Sequence, residues 1–120
     1  MSYPWLDEYL LSRPGAEKDF KVEWGWLRYR VCGRLFAALC HDREGNEILT
    51  LKLEPLEGEF LRGQFGDIVP GYYCDKRHWN SVRLDGTVPD GLMRHLIDQS
   101  YALVCAKVPL KARRAAGLVP

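Results

Sequence analysis

Leu49-Thr50-Leu51-Lys52-Leu53-Glu54-Pro55 contains the change of period on which the fold turns. Leucines alternate with Thr50 and Lys52, so an extended segment has one apolar face and one polar face, the pattern of a β-strand buried on one side. Glu54-Pro55 ends that alternation. Proline suits the opening turn of a helix, where a missing N–H costs no intrahelical bond. Glu57 and Glu59 then sit near the positive end of the helix dipole, Leu56, Phe60, Leu61 and Phe65 supply an apolar stripe, and Gly66 follows its close.

Upstream, Trp24, Trp26, Tyr29, Val31, Leu35, Phe36 and Leu39 are β-favouring or apolar from Asp19 onward. Cys32-Gly33 interrupts them as one hairpin turn, and Arg43-Glu44-Gly45-Asn46 forms a second, so three strands follow one another in a meander. Ahead of them a first helix is capped near Ser2, has Pro4 in its opening turn, carries Leu6, Tyr9 and Leu10 on one side and stops at Pro14-Gly15. Downstream, Ile68 to Tyr73 reads as extended, because Pro70 biases Val69 away from helix and Gly71 breaks the period. Ser81-Val82-Arg83-Leu84 alternates before an Asp85-Gly86 turn. Val88-Pro89-Asp90 opens a last helix whose Leu92, Met93, Leu96, Ile97, Leu103 and Val104 recur at helical spacing until Pro109. The expected order is α-β-β-β-α-β-β-α, an α+β domain with an antiparallel sheet of about five strands and helices on one face.

The composition fits that architecture. With 120 residues, 47% hydrophobic and 28% charged, the chain is expected to form a single domain over residues 1–120. Its longest apolar run, Leu35 to Cys40, is too short for a transmembrane helix or a signal-peptide core, so a cytoplasmic protein with no membrane association is expected. Cys32, Cys40, Cys74 and Cys105 lack any CxxC spacing and read as reduced thiols rather than a disulfide framework. Charge is uneven along a chain of net +1: residues 1–60 hold eight Lys/Arg against eleven Asp/Glu, and residues 61–120 hold nine against five. No acidic side chain follows Asp98, which leaves Lys107, Lys111, Arg113 and Arg114 unopposed. Those cations either complement a helix C-terminus or touch phosphate.

The tract Pro70-Gly71-Tyr72, Asp75-Lys76-Arg77-His78-Trp79-Asn80-Ser81-Val82 and Leu84-Asp85-Gly86-Thr87-Val88-Pro89-Asp90 resembles the MmcQ/YjbR family. Leu11 to Glu17, Leu35-Phe36-Ala37, Leu51-Lys52 and Ile97 to Tyr101 extend the resemblance over nearly the whole chain. It implies an α+β fold of the CyaY-like or secretion-chaperone-like kind. Members are described as DNA-binding on the strength of structural likeness to the double-wing domain of the phage activator MotA. Cys32-Gly33-Arg34 stands where members often carry Gly-Gly-Lys, which keeps the cation and loses the first glycine's freedom at positive φ.

Lys76, Arg77 and His78 place three cationic or titratable groups beside the Trp79 indole, just before a strand that carries Arg83. Cations neutralise phosphates and an indole stacks on a base, so these residues form a candidate nucleic-acid site, with Arg34 joining it if the first hairpin reaches the same face. Trp79 serves equally as a core anchor, with Lys76 and Arg77 solvated. The alternative is a non-enzymatic protein-interaction or chaperone-like module, or a homodimer, using an exposed sheet face that bears Trp24, Trp26 and Tyr29. Trp5, Trp24 and Trp26 also qualify as groove residues. A zinc site from Cys74, His78, Cys40 and His41 lacks ligand-pair spacing, and a Cys74–His78 catalytic pair aided by Asp75 or Asp85 lacks any accompanying motif. No metal, cofactor or enzymatic activity is therefore expected.

Overall fold

The computed structural model describes residues 3–71 and 75–118. Chain order is α1 (Leu6–Leu11), β1 (Ala16–Lys21), β2 (Trp26–Val31), β3 (Arg34–His41), β4 (Glu47–Lys52), α2 (Pro55–Gln64), β5 (Ile68–Pro70), β6 (Trp79–Arg83), α3 (Asp90–Ala106) and α4 (Leu110–Ala115). All neighbouring strands pair antiparallel in the spatial order β1-β2-β3-β4-β6-β5. The α+β class and open antiparallel sheet are those expected from the sequence. Two elements are additional: the polar edge strand β1, and α4, whose N-cap is Pro109, the residue at which the sequence pattern ends the preceding helix.

Alternation in β4 resolves as expected, with Leu49, Leu51 and Leu53 buried against helices while Ile48 and Thr50 face the other way. The main core joins Leu6 and Leu10 of α1, Leu61 of α2, and Met93, Leu96, Ile97 and Val104 of α3 to Tyr29, Val31, Phe36, Val82 and the β4 leucines. A second, smaller cluster of Trp26, Ala38, Cys40 and Ile48, with Leu35 against it, lies across the sheet. There the Thr50 and Ser81 hydroxyls lie 3.0 Å apart, fully buried.

The apolar stripe expected on α2 is corrected by its docking. Gly58 and Leu61 face the core, whereas Leu56 and Phe60 are 81% and 63% exposed. A glycine, invisible to a hydrophobicity pattern, is what brings this helix close to the sheet: the Asn80 amide lies against Gly58 and accepts a hydrogen bond from Arg62 Nη1 at 2.5 Å. The expected Ser2 cap falls outside the described residues. Trp5 occupies the N-cap of α1 without a side-chain cap, and Tyr3 donates to the Val88 carbonyl at 2.7 Å, tying this end of the chain to the start of α3.

Strand β3 carries a bulge. Tyr29 opposes Ala37 and Arg30 opposes Leu35, so Phe36 is the extra residue. Phe36 and Ala37 both face the main core, and Leu35 is turned to the opposite face. The Phe36 carbonyl accepts from Ser100 Oγ at 2.6 Å, and that hydroxyl oxygen in turn accepts from the Lys52 backbone N–H at 2.8 Å. One buried hydroxyl therefore satisfies two strands and fixes α3 against them.

Ser100→Ala leaves both backbone groups without that partner and is expected to lower stability by about 1–3 kcal/mol in a urea unfolding curve. Stability is also expected to fall in acid. Lys18 and then Tyr29, bonded to Asp7 at 2.7 and 2.5 Å, hold its carboxyl below the ordinary carboxylate range. A depressed carboxyl contributes stability above its unfolded pKa of about 3.9 and loses it as pH falls through the folded value. Asp7→Asn should therefore flatten the stability profile below about pH 4, as measured by unfolding across pH.

Candidate functional site

The segment Asp75 to Arg83 forms one turn and one strand. Asp75 closes the turn: its carboxylate accepts the Arg77 N–H at 3.0 Å and its carbonyl accepts the Trp79 N–H at 2.8 Å. His78 Nδ1 lies 2.8 Å from the other carboxylate oxygen, which as an ionised acceptor makes Nδ1–H the donor. The Arg77 amide, followed by His78, holds the Asp75 carboxyl below its usual range. The turn thus fixes the imidazole and projects Lys76 and Arg77 into solvent.

Trp79 opens β6 opposite Lys52 and is half-buried rather than a core residue. Gly71 makes its position possible. The Gly71 N–H donates to the Trp79 carbonyl at 2.7 Å, and a Cβ at residue 71 would lie 2.9 Å from both that oxygen and the Trp79 Cβ. Arg83, at the far end of the strand, is already engaged. Its Nε and Nη2 donate to Asp85 at 3.1 and 2.8 Å, and Nη2 reaches Asn46 Oδ1 at 3.3 Å. That pairing raises the guanidinium pKa and neutralises most of the charge Arg83 would offer a phosphate. Lys76 and Arg83 both line a broad cleft of about 520 Å³ with Asp42, Glu44, Val69 and Ser81, where acids and bases are mixed.

A smaller recess, about 300 Å³, lies where the first residues of β3 and β6 meet the last of β4 and the end of α3. Its lining is Arg34, Leu35, Lys52, Trp79, Val104 and Lys107. A second recess of about 150 Å³ shares Lys52 and Lys107 and adds His78 and Glu54. Among the described residues, Arg34, Lys52, Lys76, Arg77 and Lys107 form no ion pair with a carboxylate, as is also true of Arg62, Arg94 and the C-terminal Lys111, Arg113 and Arg114, whereas Arg13, Lys18, Lys21, Arg28 and Arg30 are paired. Arg34 and Trp79 therefore come together from distant parts of the chain, and Lys52 and Lys107 join them. Lys52 reads in the sequence only as the polar partner of an alternating strand, and Lys107 only as a member of the basic C-terminal run. Their role depends on pairing across β4 and β6 and on where α3 ends.

Other expectations are redistributed. Tyr29 faces the main core and donates to Asp7, so it forms no patch with Trp24 and Trp26. Trp5 packs between Tyr3 and Tyr9, apart from the edge-to-face Trp24–Trp26 pair. Cys32, Cys40 and Cys105 form no disulfide among the described residues, and Cys74 lies outside them. Cys32 adopts φ 50° in the hairpin turn, the left-handed position that the sequence places there without glycine.

Fold and site together define a small α+β domain with helices on one sheet face and an unneutralised cationic recess at one sheet end. The chain belongs to the YjbR family, whose model matches residues 11–103. It is similar to uncharacterized protein YjbR of Escherichia coli (strain K12), with 33% identity over 109 residues covering 91% of this chain and 92% of that protein. It is also similar to uncharacterized protein YyaQ of Bacillus subtilis (strain 168), with 44% identity over 57 residues, 48% of each chain. Among solved structures, Deinococcus radiodurans protein DR2400, of family-model domain DUF419, superposes with a TM-score of 0.84 at 32% identity, covering 95% of this chain and 86% of that one. No helix among the described residues is long and apolar enough to cross a membrane.

Gly71→Ala is expected to push the β5 end away from Trp79 and cost about 1–3 kcal/mol, the usual penalty for overpacking. Thermal melts of the variant and the parent protein measure it, and an unchanged melting temperature would mean the packing there is slack.

Proposed function

We propose that this chain is a low-affinity nucleic-acid-binding domain rather than an enzyme, contacting backbone phosphates with Lys76, Arg77, Arg34, Lys52 and Lys107. The observation that carries this reading is the gathering of Arg34, Lys52 and Lys107 around a half-buried indole with no carboxylate in the lining, next to the solvent-exposed Lys76 and Arg77, whereas Arg28, Arg30 and Arg83 on the same sheet are paired with carboxylates. Lone cations release counterions when they meet phosphate, whereas paired ones must first give up a carboxylate. His78, held by Asp75, orients the turn, and Arg83, held by Asp85, is structural. A pI near 7.7 suits weak binding better than avid coating of a polyanion. A cytoplasmic protein belongs to the same reading.

A second reading, a protein partner or a second copy of this chain, is favoured by one observation. Phe20, Val22 and Trp24 at the β1–β2 hairpin are 57%, 75% and 56% exposed. On this reading the docking surface is the hairpin tip rather than a Trp24–Trp26–Tyr29 sheet patch.

A salt series with labelled duplex DNA tests the lead reading. In a Lys76→Glu, Arg77→Glu variant, the slope of log affinity against log salt is expected to shrink by about 0.9 for each phosphate the protein no longer neutralises. A Lys111→Glu, Arg113→Glu, Arg114→Glu control should be affected less; equal weakening would indicate diffuse attraction and no defined site. Asp85→Asn, which releases Arg83, is expected to tighten binding at low salt. If the parent protein binds no nucleic acid at low ionic strength while light scattering shows a concentration-dependent dimer, the second reading replaces the first.

A further inference from the structure

We infer that the recess between Arg34, Lys52, Trp79 and Lys107 is a pocket for one unpaired nucleotide, its base against the Trp79 indole and its phosphate among the three cations. The inference rests on the nucleic-acid reading and narrows it to single strands, or to bases displaced from a duplex.

Three features of the recess point the same way. Trp79 shares the lining with Leu35 and Val104, so a planar aromatic ring meets apolar surface. Arg34, Lys52 and Lys107 line that surface with no ion pair to a carboxylate among the described residues, an arrangement suited to an anion attached to a flat ring. The volume of about 300 Å³ lies at the lower end of the roughly 300–1,000 Å³ common for small-molecule sites, a size suited to one nucleotide. A paired base is stacked inside its helix and cannot present a face to Trp79, whereas an unpaired one can.

The charges facing the recess fix where the phosphate goes. Lys107 follows the last residue of α3 and offsets the negative end of that helix. Glu54 joins Lys52, Lys107 and His78 in lining the adjoining recess, whereas no carboxylate lines the recess that holds Arg34. The phosphate is thereby directed toward Arg34. The β3 bulge matters here: Arg34 opposes Val31, a core-facing residue of β2, and so comes to the α3 side with Val104 and Lys107, while Leu35, Lys52 and Trp79 belong to the opposite face, so the recess wraps the end of the sheet.

Affinities of an oligothymidylate and of a blunt duplex of equal length, measured at the same low salt, test the pocket, with thymidine 5′-monophosphate as competitor. The parent protein is expected to prefer the single strand, and the monophosphate to displace it. Trp79→Leu should weaken single-strand binding by roughly 5- to 150-fold, the worth of one base stack, with Trp79→Phe retaining most of the affinity and duplex binding nearly unchanged. Leu35→Phe, which fills the recess without altering charge or truncating Trp79, should produce the same selective weakening and covers the case in which Trp79→Leu does not fold. Duplex binding equal to or tighter than single-strand binding overturns the pocket while leaving the broader reading standing. Equal weakening of both ligands in Leu35→Phe does the same. Absence of any binding by the parent protein overturns both.

Discussion

The Ser100 hydroxyl is the interaction on which the arrangement of this end of the molecule depends. A bulge at Phe36 puts two consecutive β3 residues on the core side, next to the point where pairing of β3 with β4 stops at Ala37 and Leu51. A buried carbonyl left alone costs free energy comparable to that of a hydrogen bond. Ser100 removes that cost by donating to Phe36 and accepting from Lys52, and it does so from α3, so helix, bulge and strand end are located together. Without the bulge, alternation would carry Leu35 and Arg34 to the opposite faces. With it, Phe36 is delivered to the core and Arg34 to the recess beside Lys107.

The electrostatics follow from the same placement. Across β1 and β2, Asp19 takes both Arg28 and Arg30 at 2.6 and 3.1 Å, so that part of the sheet presents paired charge. Asp85 similarly takes Arg83. At the Trp79 end the sheet offers no carboxylate to Arg34 or Lys52 among the described residues, and the nearest turn spends Asp75 on its own backbone and on His78. A near-neutral protein can therefore present a locally cationic surface, set by which cations lack partners rather than by net charge.

Much of this was legible in the sequence. The alternating leucines of β4, the turns at Cys32-Gly33 and Arg43–Asn46, and the period of α3 state their structures directly, because burial on one face imposes a repeat. Strand β1 does not, since Ala16 to Lys21 lies at a sheet edge and is largely polar, as edges that avoid further pairing tend to be. The docked face of α2 was unreadable because it meets the sheet through Gly58 against Asn80, and the bulge because Phe36 and Ala37 are apolar in either phase. Of the candidate site, Lys76, Arg77, His78 and Trp79 were legible as a cluster. Arg83 was misleading because its partner Asp85, two residues on, reads as a turn residue. Lys52 and Lys107 acquire a role only from cross-strand register and from the end of α3.

Backbone amide NMR during titration with a short single-stranded oligonucleotide tests most directly whether the unpaired cations mark the binding surface. Shift changes are expected to concentrate at Arg34, Leu35, Lys52, Arg77 to Trp79 and Lys107, with β1 and the β1–β2 hairpin unaffected. Shifts centred on Phe20 to Trp24, or spread evenly over every surface cation including Lys111 and Arg114, would contradict that assignment.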